Sequence, residues 1–295
     1  MKKEKKSKLS IGIPVFNSEK SIRKCLDSLL CQTFSDFEVI ISDNASTDNT
    51  SNICKEYQNK DSRIKFFQQK SNTQIIGNFN FVLNESNTEY FMWAAADDIW
   101  HPEFIKKNLE FLEKNPNFVG STSEIEYFSE SWKEKDFEKF KNIKSKKKYE
   151  FVHPLIGNYE EKIKFLFRVK RFEYVYAIYR KKYLKKSMTK NNFVSWEVPF
   201  ILKILKYGDI HVEDGIMMFK SNIGKRDSAY FKKLYSNTKK QGLGILHCLF
   251  PFFPLTVNVF LIVGPKIFFK NLFTLFIRDN YRAERLVFLE IVLKK

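Results

Sequence analysis

The chain has 295 residues, enough for one large domain or a domain with an appendage, and Lys+Arg 51 against Asp+Glu 34 leaves a net charge of +17. Basic runs at Lys2, Lys3, Lys5, Lys6 and Lys8, and again between Lys133 and Lys148, suit an anionic lipid surface or a diphosphate substrate. The absence of zinc-finger spacing, an RNP motif or a basic zipper sets nucleic acid aside, and Cys25, Cys31, Cys54 and Cys248 form no CxxC pair, which reads as small core thiols in a reducing compartment.

The first apolar run, Leu9 to Phe16, is too short for a signal-peptide core and predicts a buried strand. Ser18 is a candidate N-cap for a helix with Ile22, Leu26, Leu29 and Leu30 at helical spacing. Phe37–Asp43 predicts a second strand, the polar Asn44–Asp48 a loop, and Asn49–Gln58 a helix. A third strand is expected over Arg63–Phe67, a helix around Ile75–Asn84, and a further strand over Tyr90–Ala95. Alternation at this spacing predicts an α/β fold whose parallel sheet carries helices on both faces. Ligands in such sheets lie beyond the carboxyl ends of the strands, where Asn17, Asp43 and Asp97 all fall.

Asp97 and Asp98 close the apolar run from Tyr90 to Ala96, with Ile99 and Trp100 behind. Two adjacent carboxylates at the end of a buried strand are costly unless a cation sits against them. A divalent ion such as Mg²⁺ or Mn²⁺, itself carrying a phosphorylated substrate, is one candidate; a helix N-cap pair before His101-Pro102-Glu103 is the other.

Glu130 to Glu150 is rich in lysine and glutamate with little apolar periodicity and reads as an insertion or surface helix. Beyond it, Tyr159–Arg168 predicts a helix, Tyr174–Tyr179 a strand, Ser195–Lys206 a helix ended by Gly208, and Asp209–Phe219 a strand. From Gln241 to Pro265 there is no charged residue. The length matches a membrane span, but Pro251, Pro254 and Pro265 interrupt it. An interfacial segment on an anionic membrane fits this tail, as does a helix pair packed on the domain or on a second subunit.

Three ordered motifs within about the first 115 residues resemble the successive signatures of family 2 glycosyltransferases of the GT-A fold. They are Ser10-Ile11-Gly12-Ile13-Pro14-Val15-Phe16-Asn17, Ser42-Asp43-Asn44-Ala45-Ser46-Thr47-Asp48, and Tyr90 through Trp100. Leu26-Asp27-Ser28-Leu29, Gln32-Thr33 and Gly77-Asn78-Phe79-Asn80 fit the same pattern. The resemblance implies a Rossmann-like mixed sheet over residues 1–225, with a nucleotide-binding half over 8–115 and an acceptor half over 116–225. The tail has no counterpart in that resemblance; from its apolar character a helical region over 226–295 is expected, membrane-associating or packed on the domain.

The resemblance also implies inverting transfer of a sugar from a nucleotide diphosphate, usually a UDP-sugar; the apolar tail and basic surface add the expectation of a glycan or lipid-linked acceptor at the cytoplasmic face of the membrane. By analogy, Pro14, Asn17, Glu19, Asn44 and Asn78 belong to the nucleotide site and Asp43 bonds the base. Phe16 packs on that base or is a strand-end core aromatic. Asp97 meets the ribose or the metal shell, and Asp98 ligates Mg²⁺ or Mn²⁺. The analogy puts a general base at Glu197, whose alternative is a first-turn glutamate favoured by the helix dipole. Glu213 and Asp214 are its runners-up. Trp196 stacks on a sugar or fills the core, and Arg226 is a candidate for the diphosphate. The chain departs from the commonest pattern at Ala95-Ala96 before the acidic pair and at Asn44-Ala45-Ser46. A nucleotidyltransferase, or an inactive glycan- or membrane-binding relative, are the competing readings. The first would want a glycine-rich loop where this chain has Phe16-Asn17-Ser18-Glu19.

Overall fold

The computed structural model describes residues 6–128, 152–169, 172–189, 195–221 and 253–272. Arg226, Cys248, the 130–150 segment, the expected boundary at residue 225 and residues 241–252 of the 241–265 stretch lie outside them.

The elements follow the expected alternation: β1 (Leu9–Val15), α1 (Ile22–Leu30), β2 (Phe37–Asp43), α2 (Thr50–Lys60), β3 (Ile64–Gln68), α3 (Gln74–Glu85), β4 (Tyr90–Trp93), β5 (Ile99–Trp100), α4 (Phe104–Lys114) and β6 (Phe118–Phe128). Then come α5 (Tyr159–Val169), a 3₁₀ turn (Glu173–Tyr176), β7 (Ile178–Arg180), α6 (Lys181–Ser187), α7 (Glu197–Ile204), β8 (Asp209–Ser221) and α8 (Phe253–Leu272). One mixed sheet runs in the order β3-β2-β1-β4-β7-β6-β8-β5. The first four strands are parallel, and β7 and β5 run antiparallel to their neighbours.

β1 is buried along nearly its whole length, as a central parallel strand covered on both faces must be. Gly12 is required there: a Cβ would lie 2.6 Å from the Phe91 ring and 2.7 Å from Val82. The β1–β4 pairing ends at Gly12 and Trp93, so β4 diverges just where Pro14, which has no N–H to donate, follows in β1. With β2 on one side and β4 leaving on the other, a crevice opens beyond these carboxyl ends, at the point where strand order reverses.

The strand expected over Tyr174–Tyr179 divides into the 3₁₀ turn and a β7 of three residues. Tyr174 is held in the turn by its hydroxyl, which donates to the His153 carbonyl (2.7 Å), and its own carbonyl accepts from the Tyr179 hydroxyl (2.6 Å). The segment is apolar because it is buried, and periodicity alone does not separate that from a strand.

The C-terminal helix packs against α7 and α5. Val259, Val263 and Phe268 are buried, whereas Leu261 and Phe269 are exposed at 72% and 63%. It breaks at Gly264, whose φ of 79° lies in the left-handed region, directly before Pro265. Among the described residues no helix is long and apolar enough to cross a membrane.

Candidate active site

A cleft of about 1350 Å³ opens beyond β1 and β4. Of the residues expected at the site, Pro14, Phe16, Asn17, Glu19, Asp97, Trp196 and Glu197 line it together. Phe16 is 39% exposed, which decides against the core reading of that ring.

One wall is built by two loops stitched to each other. Asn17 adopts φ 49°, a conformation asparagine tolerates better than most residues. Its backbone N–H donates to the Ser46 hydroxyl (2.9 Å), while its side-chain oxygen accepts from the Thr47 N–H (2.8 Å). Ser18 N–H donates to the Thr50 hydroxyl (2.7 Å), and Glu19 both donates from its backbone to Asp48 (3.2 Å) and accepts from Asn49 N–H (3.0 Å). The strand-end loops after β1 and β2 are therefore one preformed unit.

Asp43, Asn44 and Asn78, expected as direct nucleotide contacts, are buried beneath this wall. Asp43 accepts from the Ser46 N–H (3.0 Å) and hydroxyl (2.5 Å) and from the Ser51 hydroxyl. Asn44 accepts from Thr73 N–H (2.7 Å) and donates to Gln74 carbonyl (3.2 Å). Asn78 donates to the Ser42 carbonyl (3.0 Å). As placed, these polar atoms shape the wall rather than line the cavity.

The acidic pair divides. Asp97 is partly buried and lines the cleft; Asp98 is 2% exposed and faces inward. The cation beside it is Lys220, a residue the sequence did not single out. Lys220 Nζ lies 2.8 Å from Asp98 Oδ2, and Ser221 N–H donates to Oδ1 (3.2 Å). The cause is register: β5 runs antiparallel to β8 with Ile99 opposite Phe219, so Asp98 and Lys220 are next in line. Burial raises Asp98 to about 6, with Asp97 adding to the rise and Lys220 opposing it. Burial likewise raises Asp97, again against Lys220. Burial works against the Lys220 charge, yet Asp98 and Tyr176 hold its pKa above the ordinary value. Its ammonium sits 4.1 Å from the centroid of Tyr176, a cation–π contact, and Lys220 lines the cleft.

The Gln32-Thr33 pair has a mechanical part in this. Gln32 donates to His101 carbonyl (2.8 Å) and accepts from Ile105 N–H (3.0 Å), and Thr33 N–H donates to the Pro102 carbonyl (2.9 Å). These bonds hold the segment following Asp98 against the end of α1. His101 Nδ1 accepts from Glu103 N–H (3.1 Å), a local turn contact.

The opposite wall comes from the 3₁₀ turn, the end of β6 and the start of α7: Tyr127, Phe128, Phe172, Tyr176 and Trp196 with Glu197. Ser195 has φ 58° immediately before α7, a strained backbone that persists only where surrounding structure holds it. Trp196 is 9% exposed and meets Phe79 edge-on at 4.9 Å, so it fills the core while presenting an edge to the cavity. Glu197 is partly buried in the first turn of α7. The phenol of Tyr176 feels the charges of Lys220, Asp98, Asp97 and Glu197, which puts these groups around one point. Glu213 instead pairs with His211 on β8 (3.3 Å) and is not among the residues lining the cleft.

For a divalent ion the donor set is sparse. Among the described residues no group of three His, Cys, Asp or Glu side chains is placed to hold one. Asp97, one of several carboxylates lining the cleft, fits an ion whose other ligands are substrate phosphates and water, as Mg²⁺ prefers. Asp98, expected as the metal ligand, lies behind it and is paired with Lys220.

Comparison with known proteins places this geometry. EpsE of Bacillus subtilis (strain 168), named as a glycosyltransferase, is 31% identical over 112 residues, 38% of this chain and 40% of that protein. A dolichyl N-acetyl-alpha-D-glucosaminyl phosphate 3-beta-D-2,3-diacetamido-2,3-dideoxy-beta-D-glucuronosyltransferase of Methanococcus voltae is 31% identical over 131 residues, 42% of this chain and 40% of that one. The chain thus spans at most 40% of the length of these two curated relatives. The structure of S. aureus TarS 1-349 in complex with UDP-GlcNAc superposes with a TM-score of 0.64 at 18% identity, covering 97% of this chain and 76% of that one. Mannosyltransferase PcManGT from Pyrobaculum calidifontis, in complex with GDP-Man and Mn2+, gives 0.55 at 12% identity over 99% and 89%. These likenesses establish the GT-A fold. The family profile matches residues 10–188, more than half of the sequence, and the chain belongs to glycosyl transferase family 2.

Proposed function

We propose that the chain transfers a sugar, with inversion, from a nucleotide diphosphate donor to a hydroxyl of a glycan or lipid-linked acceptor. The reading rests on one observation: the cleft is lined by a preformed polar wall, a partly buried ammonium and a carboxylate on the facing wall. A UDP-sugar is the favoured donor, since TarS was solved with UDP-GlcNAc.

In this reading the Asn17 and Glu19 loops and the Phe16 ring hold the nucleoside. Glu197 takes the proton of the acceptor hydroxyl, whose oxygen bonds to the anomeric carbon as the carbon–oxygen bond to the diphosphate breaks. The electron pair leaves on the diphosphate oxygen, and the Lys220 ammonium offsets the charge building there. Lys220 thus takes the diphosphate-facing place considered for Arg226, which lies outside the described residues. Asp97 would hold a Mg²⁺ or Mn²⁺ shared with the donor phosphates, and such an ion supplies Lewis-acid neutralisation of the leaving group.

The exposed Leu261 and Phe269, with the basic surface, suit peripheral contact with an anionic membrane at its cytoplasmic face. Leu261→Glu with Phe269→Glu then lowers co-sedimentation with phosphatidylglycerol vesicles; unchanged partitioning leaves these side chains without that part.

The deciding experiment is nucleoside diphosphate release from a panel of UDP- and GDP-sugars, in Mn²⁺, in Mg²⁺ and in EDTA. Turnover with at least one donor is expected. Neither turnover nor donor binding across the panel would overturn the assignment and favour a non-catalytic relative.

A further inference from the structure

A second cavity, of about 340 Å³, lies at the other end of β4 from the cleft, lined by Thr88, Glu89, Arg180, Lys181, Lys182 and Lys185. Thr88 and Glu89 immediately precede β4, and Arg180 pairs with Tyr90 at the start of that strand. Four cations therefore converge on a concave site that offers one carboxylate.

Most of the positive charge there is uncompensated. The Arg180 guanidinium donates to the Phe118 carbonyl (3.0 Å), the Tyr90 hydroxyl (3.1 Å) and the carbonyls of Leu112 and Asn115, so its charge meets dipoles alone. Lys181 is half-buried and donates to the Ser86 carbonyl. Lys182 and Lys185 are exposed, and among the described residues neither lies within ion-pair distance of a carboxylate. Lys6 adds a further ammonium nearby, bonded to the Asn87 side chain (2.7 Å).

Burial first, and then Lys185 and Lys6, push Lys181 below its ordinary pKa, with Glu38 opposing them. What sets these cations apart is that four of them line one concavity beside a single carboxylate. An anion there relieves their mutual repulsion. Lysine ammonium groups on flexible stems bind phosphate as point charges and do not demand bidentate geometry. The volume accommodates a phosphate group with an attached substituent. The helix carrying these lysines also connects toward α8: Tyr183 stacks on Tyr207 (4.9 Å), and Lys206 donates to the Ile262 carbonyl (2.7 Å).

We propose that this pocket binds a phosphate-bearing anion, either the headgroup of an anionic lipid or a free phosphate ester, separately from the cleft. The inference does not depend on the donor chemistry above.

The test uses the full chain and the variant Lys182→Gln/Lys185→Gln, whose exposed side chains leave the fold intact by circular dichroism. Titration with inorganic pyrophosphate in EDTA forms one arm, and partitioning to phosphatidylglycerol against phosphatidylcholine vesicles the other. Loss of two lysines is expected to weaken binding about thirtyfold, at roughly fivefold per lysine. A loss confined to phosphatidylglycerol vesicles identifies the lipid headgroup. A loss confined to pyrophosphate identifies the free ester, and Lys182→Arg/Lys185→Arg restores either. If the double variant binds both probes as the parent does, the proposal falls.

Discussion

The two walls of the cleft are built on different principles. On the β1–β2 side, short polar residues after the two strands satisfy one another: Asn17 with Ser46 and Thr47, Glu19 with Asp48 and Asn49, Asp43 with Ser46 and Ser51. The facing wall presents aromatic rings, Tyr127, Phe128, Phe172, Tyr176 and Trp196, with Glu197 among them. A bonded polar wall is rigid and specifies what it receives, because every misplaced ligand leaves a donor or acceptor unsatisfied. An aromatic wall offers area and ring faces that tolerate variety in what packs against them. The walls are tied by one ion pair, Lys220 of β8 to Asp98 at the end of the β4 turn.

That tie is the first place to break the contrast. Lys220→Met leaves Asp98 charged or protonated without its partner in a buried site, at a cost of about 3–5 kcal/mol of stability. Denaturant unfolding should show that loss, and adding Asp98→Asn in the same chain should recover most of it; a double variant as unstable as the single would show that pairing is not the reason. On the aromatic side, Glu197→Gln should lower turnover by roughly 10²–10⁴ while leaving donor affinity unchanged. Unchanged turnover would move the base elsewhere.

On the polar side, Asp43→Ala removes the acceptor for Ser46 and Ser51 and should cost about 1–3 kcal/mol in stability. Donor affinity should fall with it, since the loop that Asp43 holds forms the cleft wall; a stable variant with full donor affinity would deny Asp43 that part. The smallest effect is chemical. Burial, and then Asp43 and Asp48, push the Cys54 thiol up to about 12, so the reactive thiolate is scarce at pH 8. Cys25 is raised well above its ordinary value by burial and then Asp98. Iodoacetamide at pH 8 should therefore label exposed Cys31 in the folded chain and reach Cys25 and Cys54 only after unfolding, as read by peptide mass mapping. Prompt labelling of Cys54 would contradict the packing of α2 on the sheet.

The N-terminal half was legible because its signals are local. β2 spans Phe37–Asp43 as its apolar run implies, and the motif residues Pro14, Phe16, Asn17, Glu19 and Asp97 line one cavity. What a linear reading missed was which polar residues turn inward. Asp43, Asn44 and Asn78 sit in the same motifs as the residues that line the cleft, yet are buried and bonded to backbone. Their number of neighbours depends on how β1, β2 and α3 stack, which no local pattern encodes.

The amino-acid order by itself determined the alternation of strands and helices, the place of the carboxyl-end crevice and the strain of two adjacent carboxylates at a buried strand end. Each follows from short-range constraints: apolar runs of strand length, polar turns, and the expense of a desolvated carboxylate. Only the tertiary structure decided which basic side chain lies against Asp98. Lys220 is 122 residues away along the chain and reaches Asp98 because β5 pairs antiparallel with β8, a long-range register that sequence spacing does not reveal.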